Sequence, residues 1–414
     1  MKNGLPIILT VLMSTLAVVF GNEPILLPAP DSSAKIPWNM EALFTAPETF
    51  PAEGFSSGDS RIRALFFKGL DYEGKETRVF AWVGFPNTGN SPFPAMVLVH
   101  GAGGTAYEDW VKIWVDRGYA AIAVDTASHI PVHPDGSSNG WKLHEWAGPK
   151  GWGDFESIDK PVQDQWPYHA VAAVVRAHSL LRSFPDVDGR RVGLTGISWG
   201  GYLTCITAGI DHRFAFAAPV YGCGFLGEDS SWLQTRLEAI GRDNARQWLM
   251  LWDPSRYVNR VQMPMLFVNG TNDKHYRMDA WQKTYREVPG KVTLACRLRM
   301  PHSDFAGRAP EVYASADALF KGGAPLPEIT GQGTTKQTAW IEYRSVSPLQ
   351  KAELNFTMDR GEWPQRLWQS REISVDASAG KISGEFPDGA TAWFINLFDS
   401  QGLIVSSQME EARK

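Results

Sequence analysis

The stretch Leu194-Thr195-Gly196-Ile197-Ser198-Trp199-Gly200-Gly201 constrains this chain more than any other. An apolar run from Arg191 and Val192 leads into it, and a run of helical periodicity, Tyr202 to Ile210, leaves it. Between them sits Gly-x-Ser-x-Gly with a further glycine behind it. A strand that turns into a helix within so few residues passes its backbone through a tight corner. The residues flanking the serine must therefore nearly lack side chains, and glycine tolerates that crowding. The serine is pushed out at the carboxyl end of a sheet strand. It stands above a helix N-terminus whose N–H groups face any negative charge that develops there. This context predicts a nucleophilic serine.

The flanking sequence predicts the frame that such a turn needs. Arg63 to Phe67 and Arg78 to Phe85 alternate like paired strands around a turn at Tyr72–Lys75. Pro94 to Val99 is a continuous apolar strand of the buried, parallel type, running into His100-Gly101-Ala102-Gly103-Gly104. A helix over 106–117 and a strand over 120–125 follow. Strand and helix alternate again through a helix at 166–184 and strands at 214–221, 263–269 and 291–298, with a closing helix at 310–320. The expected fold is α/β, a doubly wound, mostly parallel sheet. Thr126–Gln165 and Phe225–Val261 interrupt it as Trp-bearing insertions at the sheet's carboxyl edge. Lys321–Gly333 reads as a linker, and the alternating runs beyond it read as a small C-terminal β-sandwich. The expected division is residues 1–21 as a leader, 22–325 as the main domain with its lead-in, and 326–414 as the β-sandwich.

Composition narrows the function. A net charge of −5 leaves no basic footprint for nucleic acid and no polybasic patch for a membrane surface. Lys2, the apolar run Leu5–Phe20 and the small or apolar Val19 and Gly21 read as a secretory signal, which predicts an exported protein, periplasmic or extracellular. Asn22 rather than Cys follows the expected cut, which argues against a lipid anchor. The 3 cysteines, Cys205, Cys223 and Cys296, are an odd number without a CxxC, so a fully paired framework is excluded; a Cys205–Cys223 bridge stays open. His129, His133 and His144 match no metal-ligand spacing and are read as a polar lid. Neither a Walker pattern nor a dinucleotide fingerprint is present, and no cofactor or metal is expected.

A serine needs a base, and the base needs an orienting acid. Two later strand ends supply them, Asp273 and then His302. Glu228 or Asp229 is the competing acid; His275 reads as a surface or capping residue, and Asp304 lies too close to His302 to orient its ring. The N–H groups of Trp199 and of Ala102, with Gly103 next, are the candidate oxyanion donors, and His100 is read as structural.

Val99–Gly104, Thr195–Gly201, Val268–Asp273 and Pro301-His302 together resemble the α/β-hydrolase superfamily over roughly residues 60–322. The nearest branches are the acetyl xylan esterase, cephalosporin-C deacetylase and dienelactone hydrolase-like group and the catalytic domain of prolyl oligopeptidases. The resemblance implies cofactor-free acyl hydrolysis. Dienelactone hydrolases use a cysteine nucleophile where this chain has Ser198, and too few residues precede His100 for the propeller of a prolyl oligopeptidase. The leading expectation is an exported serine carboxylesterase acting on a small-molecule or polysaccharide ester, an acetylated carbohydrate first. Segments around Trp141–Trp152 and Trp232–Trp252 would shape its alcohol pocket. Two alternatives remain. One is an aminopeptidase-like serine peptidase using Glu228, Asp229 or Glu145 as amine anchor; the other is a carbohydrate-binding protein on an inactive hydrolase scaffold.

Overall fold

The protein is described by a computed structural model over residues 23–132, 140–375 and 380–412. The leader and His133 lie outside the described residues.

A nine-stranded sheet forms the centre. Its strands are β1 (Thr49–Pro51), β2 (Ile62–Lys68), β3 (Arg78–Gly84), β4 (Phe93–Val99), β5 (Ala120–Val124), β6 (Val187–Ile197), β7 (Phe216–Val220), β8 (Met265–Gly270) and β9 (Val292–Arg297). Their spatial order is β1-β2-β3-β5-β4-β6-β7-β8-β9. The run from β5 to β9 is parallel, and β1 to β3 add antiparallel partners at one side. The short edge strand ends at Pro51, which has no N–H to donate. The inner strands read as unbroken apolar runs because helices cover both faces; every residue of β4 and β5 is buried.

Helices α1 (Glu108–Asp116), α2 (Trp166–Ser183), α3 (Trp199–Ala208), α4 (Arg242–Trp252) and α5 (Met278–Arg286) connect these strands, and α6 (Pro310–Lys321) follows the last of them. In α1 the buried residues Trp110, Val111, Trp114 and Val115 fall on one stripe, the spacing of a helix laid on a sheet. Among the described residues no helix is long and apolar enough to cross a membrane. The described part of the first insertion is mostly irregular, holding two short paired strands, His129–Ile130 and Lys142–Leu143, and short 3-10 turns.

The C-terminal strands form two further sheets. One is β10 (Glu328–Thr335), β11 (Thr338–Arg344) and β14 (Lys381–Glu385); the other contains β13 (Trp368–Ile373), β12 (Leu349–Thr357), β15 (Ala392–Asp399) and β16 (Ile404–Ser406), with Glu410–Glu411 paired to β15. Ile341 and Ile382 from the first share a core with Leu354, Trp393, Ile395 and Leu397 from the second. The expected linker needs correction, because residues 328–335 of it and its edge pair with β11, across a bulge between Ile329 and Gly331. Its glycines, read as linker chemistry, have a packing cause: a side chain at Gly333 would meet the Trp340 ring at 2.9 Å.

Strand β15 is buried on both faces. Trp393, Ile395 and Leu397 enter the sandwich core, while Ala392 and Phe394 join the core of the main domain. Asn396, on the second face, donates from Nδ2 to Cys296 O (3.0 Å), and Cys296 N donates to Ser406 Oγ (2.7 Å). At Cys296 the open edge of β9 is thus met by side chains of the C-terminal sheet, which satisfy its backbone N–H and C=O. Cys205, Cys223 and Cys296 are free, buried thiols, so the Cys205–Cys223 bridge is not formed. Burial raises all three thiols well above their usual range.

Candidate active site

Ser198 stands between β6 and α3 with φ 58° and ψ −117°, a backbone conformation that side chains rarely adopt. The corner is as crowded as the sequence requires. A Cβ at Gly196 would lie 2.2 Å from Gly200 O, and one at Gly200 would lie 2.1 Å from Val99 O. Ser198 N–H donates to Val220 O (2.9 Å), which ties the corner to the neighbouring strand.

Two loops at the same sheet edge complete the arrangement. The Ser198 hydroxyl donates to His302 Nε2 (2.8 Å), and His302 Nδ1–H donates to Asp273 Oδ2 (2.6 Å). The other Asp273 oxygen accepts from the N–H groups of His275 (2.8 Å) and Tyr276 (2.9 Å). The carboxylate is therefore buried but satisfied, and its orientation is set by the start of the loop into α5. The expected residues Ser198, Asp273 and His302 come together. Glu228 and Asp229 do not join them: Glu228 pairs with Lys283 and Asp229 with Arg277. Burial holds the Asp229 carboxyl above its usual range despite that arginine. Glu145 lines a separate cavity of about 740 Å³ with Phe50, Phe66 and Trp146.

The turn Gly101–Gly104 lies against the serine; a Cβ on Gly101 would be 3.2 Å from Ser198 Cβ. Thr126 N–H donates to His100 Nε2 (3.0 Å), so the His100 proton sits on Nδ1 and reaches Gly101 O (2.7 Å). His100 thus fixes the turn, the structural role its sequence position suggests. Ala102 and Gly103 follow it as exposed residues, and Gly103 has φ 70°. Trp199 is the first residue of α3, where a backbone N–H has no acceptor within its own helix.

Several site residues were not legible as such. Tyr221, at φ 65°, stacks on the His302 ring (4.3 Å) and donates its hydroxyl to Pro301 O (2.7 Å). The signal was a bulky residue before Gly222 at a strand end. His275 is half-buried rather than a surface cap. Its Nδ1 bonds Ser231 Oγ (2.8 Å), its ring stacks on Trp232 (5.1 Å), and it lies 5.0 Å from the His302 ring. Burial first, and the nearby His302 second, push its pKa down to about 4. Asp304 leaves His302 alone, as expected, and accepts from Tyr107 OH (3.4 Å). Of the Trp-bearing insertions, Trp152 is half-buried and packs against Trp199 (5.9 Å) and Trp232 (5.5 Å). Trp248 and Trp252 are fully buried core and cannot line a pocket, which corrects the broader expectation. Of the expected lid histidines, the two described ones are held by different partners. His129 bonds Gly104 O (3.1 Å), while His144 is buried against Phe66 (5.2 Å).

The strand order and the serine turn define an α/β-hydrolase. Residues 44–260, more than half of the chain, match the profile of the acetyl xylan esterase family, AXE1, and the chain belongs to that family of hydrolases. Residues 228–356 also match the profile of PhoPQ-activated pathogenicity-related proteins. Acetyl esterase Axe7A of Xylanibacter ruminicola is 30% identical over 114 residues, covering 25% of this chain and 26% of that protein. The match therefore spans about a quarter of that relative's length. The acetyl xylan esterase from Paenibacillus sp. R4 superposes with a TM-score of 0.54 at 18% identity, covering 70% of this chain and 97% of that one. Acetyl xylan esterase 1 from Thermoanaerobacterium sp. JW/SL YS485 gives 0.50 at 16% identity, covering 69% and 93%. At these identities the solved structures establish the shared fold.

Proposed function

We propose that this chain is an exported serine esterase that removes acetyl groups from acylated carbohydrate through an acyl-enzyme. The observation that carries the reading is the hydrogen-bonded line Ser198–His302–Asp273 at one sheet edge. Ser198 Oγ attacks the ester carbonyl carbon while its proton passes to His302 Nε2. Asp273 holds the Nδ1–H tautomer and stabilises the imidazolium that forms. The N–H groups of Trp199 and Ala102, with Gly103 beside them, face the tetrahedral oxyanion. His302 then gives its proton to the departing sugar oxygen as the C–O bond breaks, and water releases acetate by the same steps in reverse.

The AXE1 family match supports acetyl as the acyl group. A path of rings from His302 through His275 and Trp232 to half-buried Trp152 supports a sugar on the alcohol side, since aromatic faces pack well against pyranose C–H surfaces. Export rests on Lys2 and Leu5–Phe20. The peptidase reading is weakened because its amine anchors Glu228 and Asp229 are paired with Lys283 and Arg277.

The test is hydrolysis of p-nitrophenyl acetate and acetylated xylan by the mature protein and by Ser198→Ala. The expected loss in kcat is about 10⁴–10⁶-fold, with acetate released from the polysaccharide only by the wild type. Activity that survives Ser198→Ala would overturn the nucleophile. Ester cleavage that leaves every acetylated glycan untouched would overturn the carbohydrate substrate.

A further inference from the structure

The loop carrying Asp273 and the loop carrying His302 both leave the sheet and end on the same short piece of the C-terminal region. Asn272 Nδ2 donates to Pro364 O and to Arg366 O, each at 2.9 Å. Arg277, at the far end of the Asp273 loop, pairs with Glu362. Arg299, three residues before His302, donates from Nη2 to Trp368 O (3.0 Å). It sits at φ 52°, which a non-glycine residue holds only when its surroundings impose it. Thr271 Oγ1 joins the two loops, accepting from Arg299 N–H (3.0 Å) and donating to Asn272 Oδ1 (2.9 Å). The receiving segment is itself anchored, since Trp363 and Trp368 are buried in the core of the main domain.

We propose that Asn272 and Arg299 are positioning residues through which Glu362–Trp368 of the C-terminal region holds Asp273 and His302 in register with Ser198. The proposal rests on the catalytic roles assigned above. Strand ends fix where a loop starts but not where its side chains point, and a proton relay tolerates little error; a misplacement of about 1 Å can cost about 100-fold in rate. Carbonyl oxygens of a segment clamped by two buried tryptophans are rigid acceptors. They fix the acid from Asn272 and the base from Arg299 without touching substrate.

The experiment follows the rate at which a fluorophosphonate labels Ser198, which needs the activated serine whatever the natural ester is. The full chain is compared with Asn272→Ala, Arg299→Ala, Arg299→Lys and Asn396→Ala, each with its Tm. Asn396 bonds the same two parts of the molecule on strand β9 itself, at Cys296, before the His302 loop begins. Asn272→Ala and Arg299→Ala are expected to slow labelling about tenfold or more, with a Tm no lower than that of Asn396→Ala. Arg299→Lys, which keeps one donor, should recover part of the rate, and Asn396→Ala should label as the wild type does. Wild-type rates in both alanine variants at 272 and 299 would overturn the proposal. So would slowing in all three alanine variants in proportion to lost Tm, because that is a general packing effect. A wild type that does not label at all would instead overturn the Ser198 reading, and this proposal with it.

Discussion

At the Ser198 corner, backbone is packed against backbone; in the C-terminal sheets, side chain is packed against side chain. Gly196, Gly200, Gly201 and Gly222 leave no room for a Cβ, the nearest atoms being main-chain atoms at 2.0–2.5 Å. The sandwich is built on Ile341, Leu354, Ile382 and Ile395, whose neighbours are other apolar side chains. Side chains can repack around a change, whereas a carbonyl in a sheet ladder cannot move without breaking its hydrogen bonds. The first region is therefore intolerant of any added atom, and the second is sensitive in proportion to the volume removed.

The Ser198 corner should respond most strongly to substitution. Gly196→Ala puts a methyl group 2.2 Å from Gly200 O, and a destabilisation above about 4 kcal/mol is expected, read as lost soluble yield or a collapsed urea midpoint. A folded Gly196→Ala with wild-type stability would show that the corner yields. Next comes Leu354→Ala, fully buried in the sandwich core. It should cost about 2–5 kcal/mol by urea denaturation, with the spread set by how far neighbours collapse into the space.

The main domain around that corner and the C-terminal sheets should also differ in their response to acid. Burial lowers the His144 pKa from 6.5 to about 4, and residues 326–414 contain no histidine. A folded-state imidazole that refuses a proton favours the fold fully above pH 6.5. That contribution is lost as the pH falls from 6.5 towards about 4, because the unfolded chain takes up the proton first. The urea midpoint at pH 4.5 should lie below that at pH 7.5, and His144→Phe should narrow the difference. An unchanged difference would place the acid sensitivity elsewhere. The smallest effect is expected at Lys291→Ala, which removes an exposed ion pair with Glu328 (2.8 Å) between the main domain and the C-terminal sheets. Less than about 1 kcal/mol should be lost, and high salt should give much the same change.

Which residues could be read early follows from the same contrast. Ser198, Asp273 and His302 were legible because parallel strands deliver their final residues to one edge, and chain order alone then names the set. The paired strands around Tyr72–Lys75 were legible from alternation, and the structure bridges Tyr72 and Lys75 as expected. Strand β10 was hidden because Gly331 and Gly333 look like linker residues until Glu342 and Trp340 are seen across the ladder. Trp152 and Trp248 are one residue type with opposite fates, one half-buried beside Trp232 and one sealed under Phe155 (4.3 Å). No local pattern separates them.

By itself the sequence determined the sheet, the serine corner and the three residues that meet there, because each depends on local periodicity, local sterics and strand ends. Only the tertiary structure decided that Asn272 and Arg299 lean on Pro364, Arg366 and Trp368, that Asn396 and Ser406 meet the β9 edge at Cys296, and that His275 sits beside His302. Those contacts join residues far apart in the chain. Their energies arise from which surfaces meet once the sheets have packed, and no stretch of sequence carries that information alone.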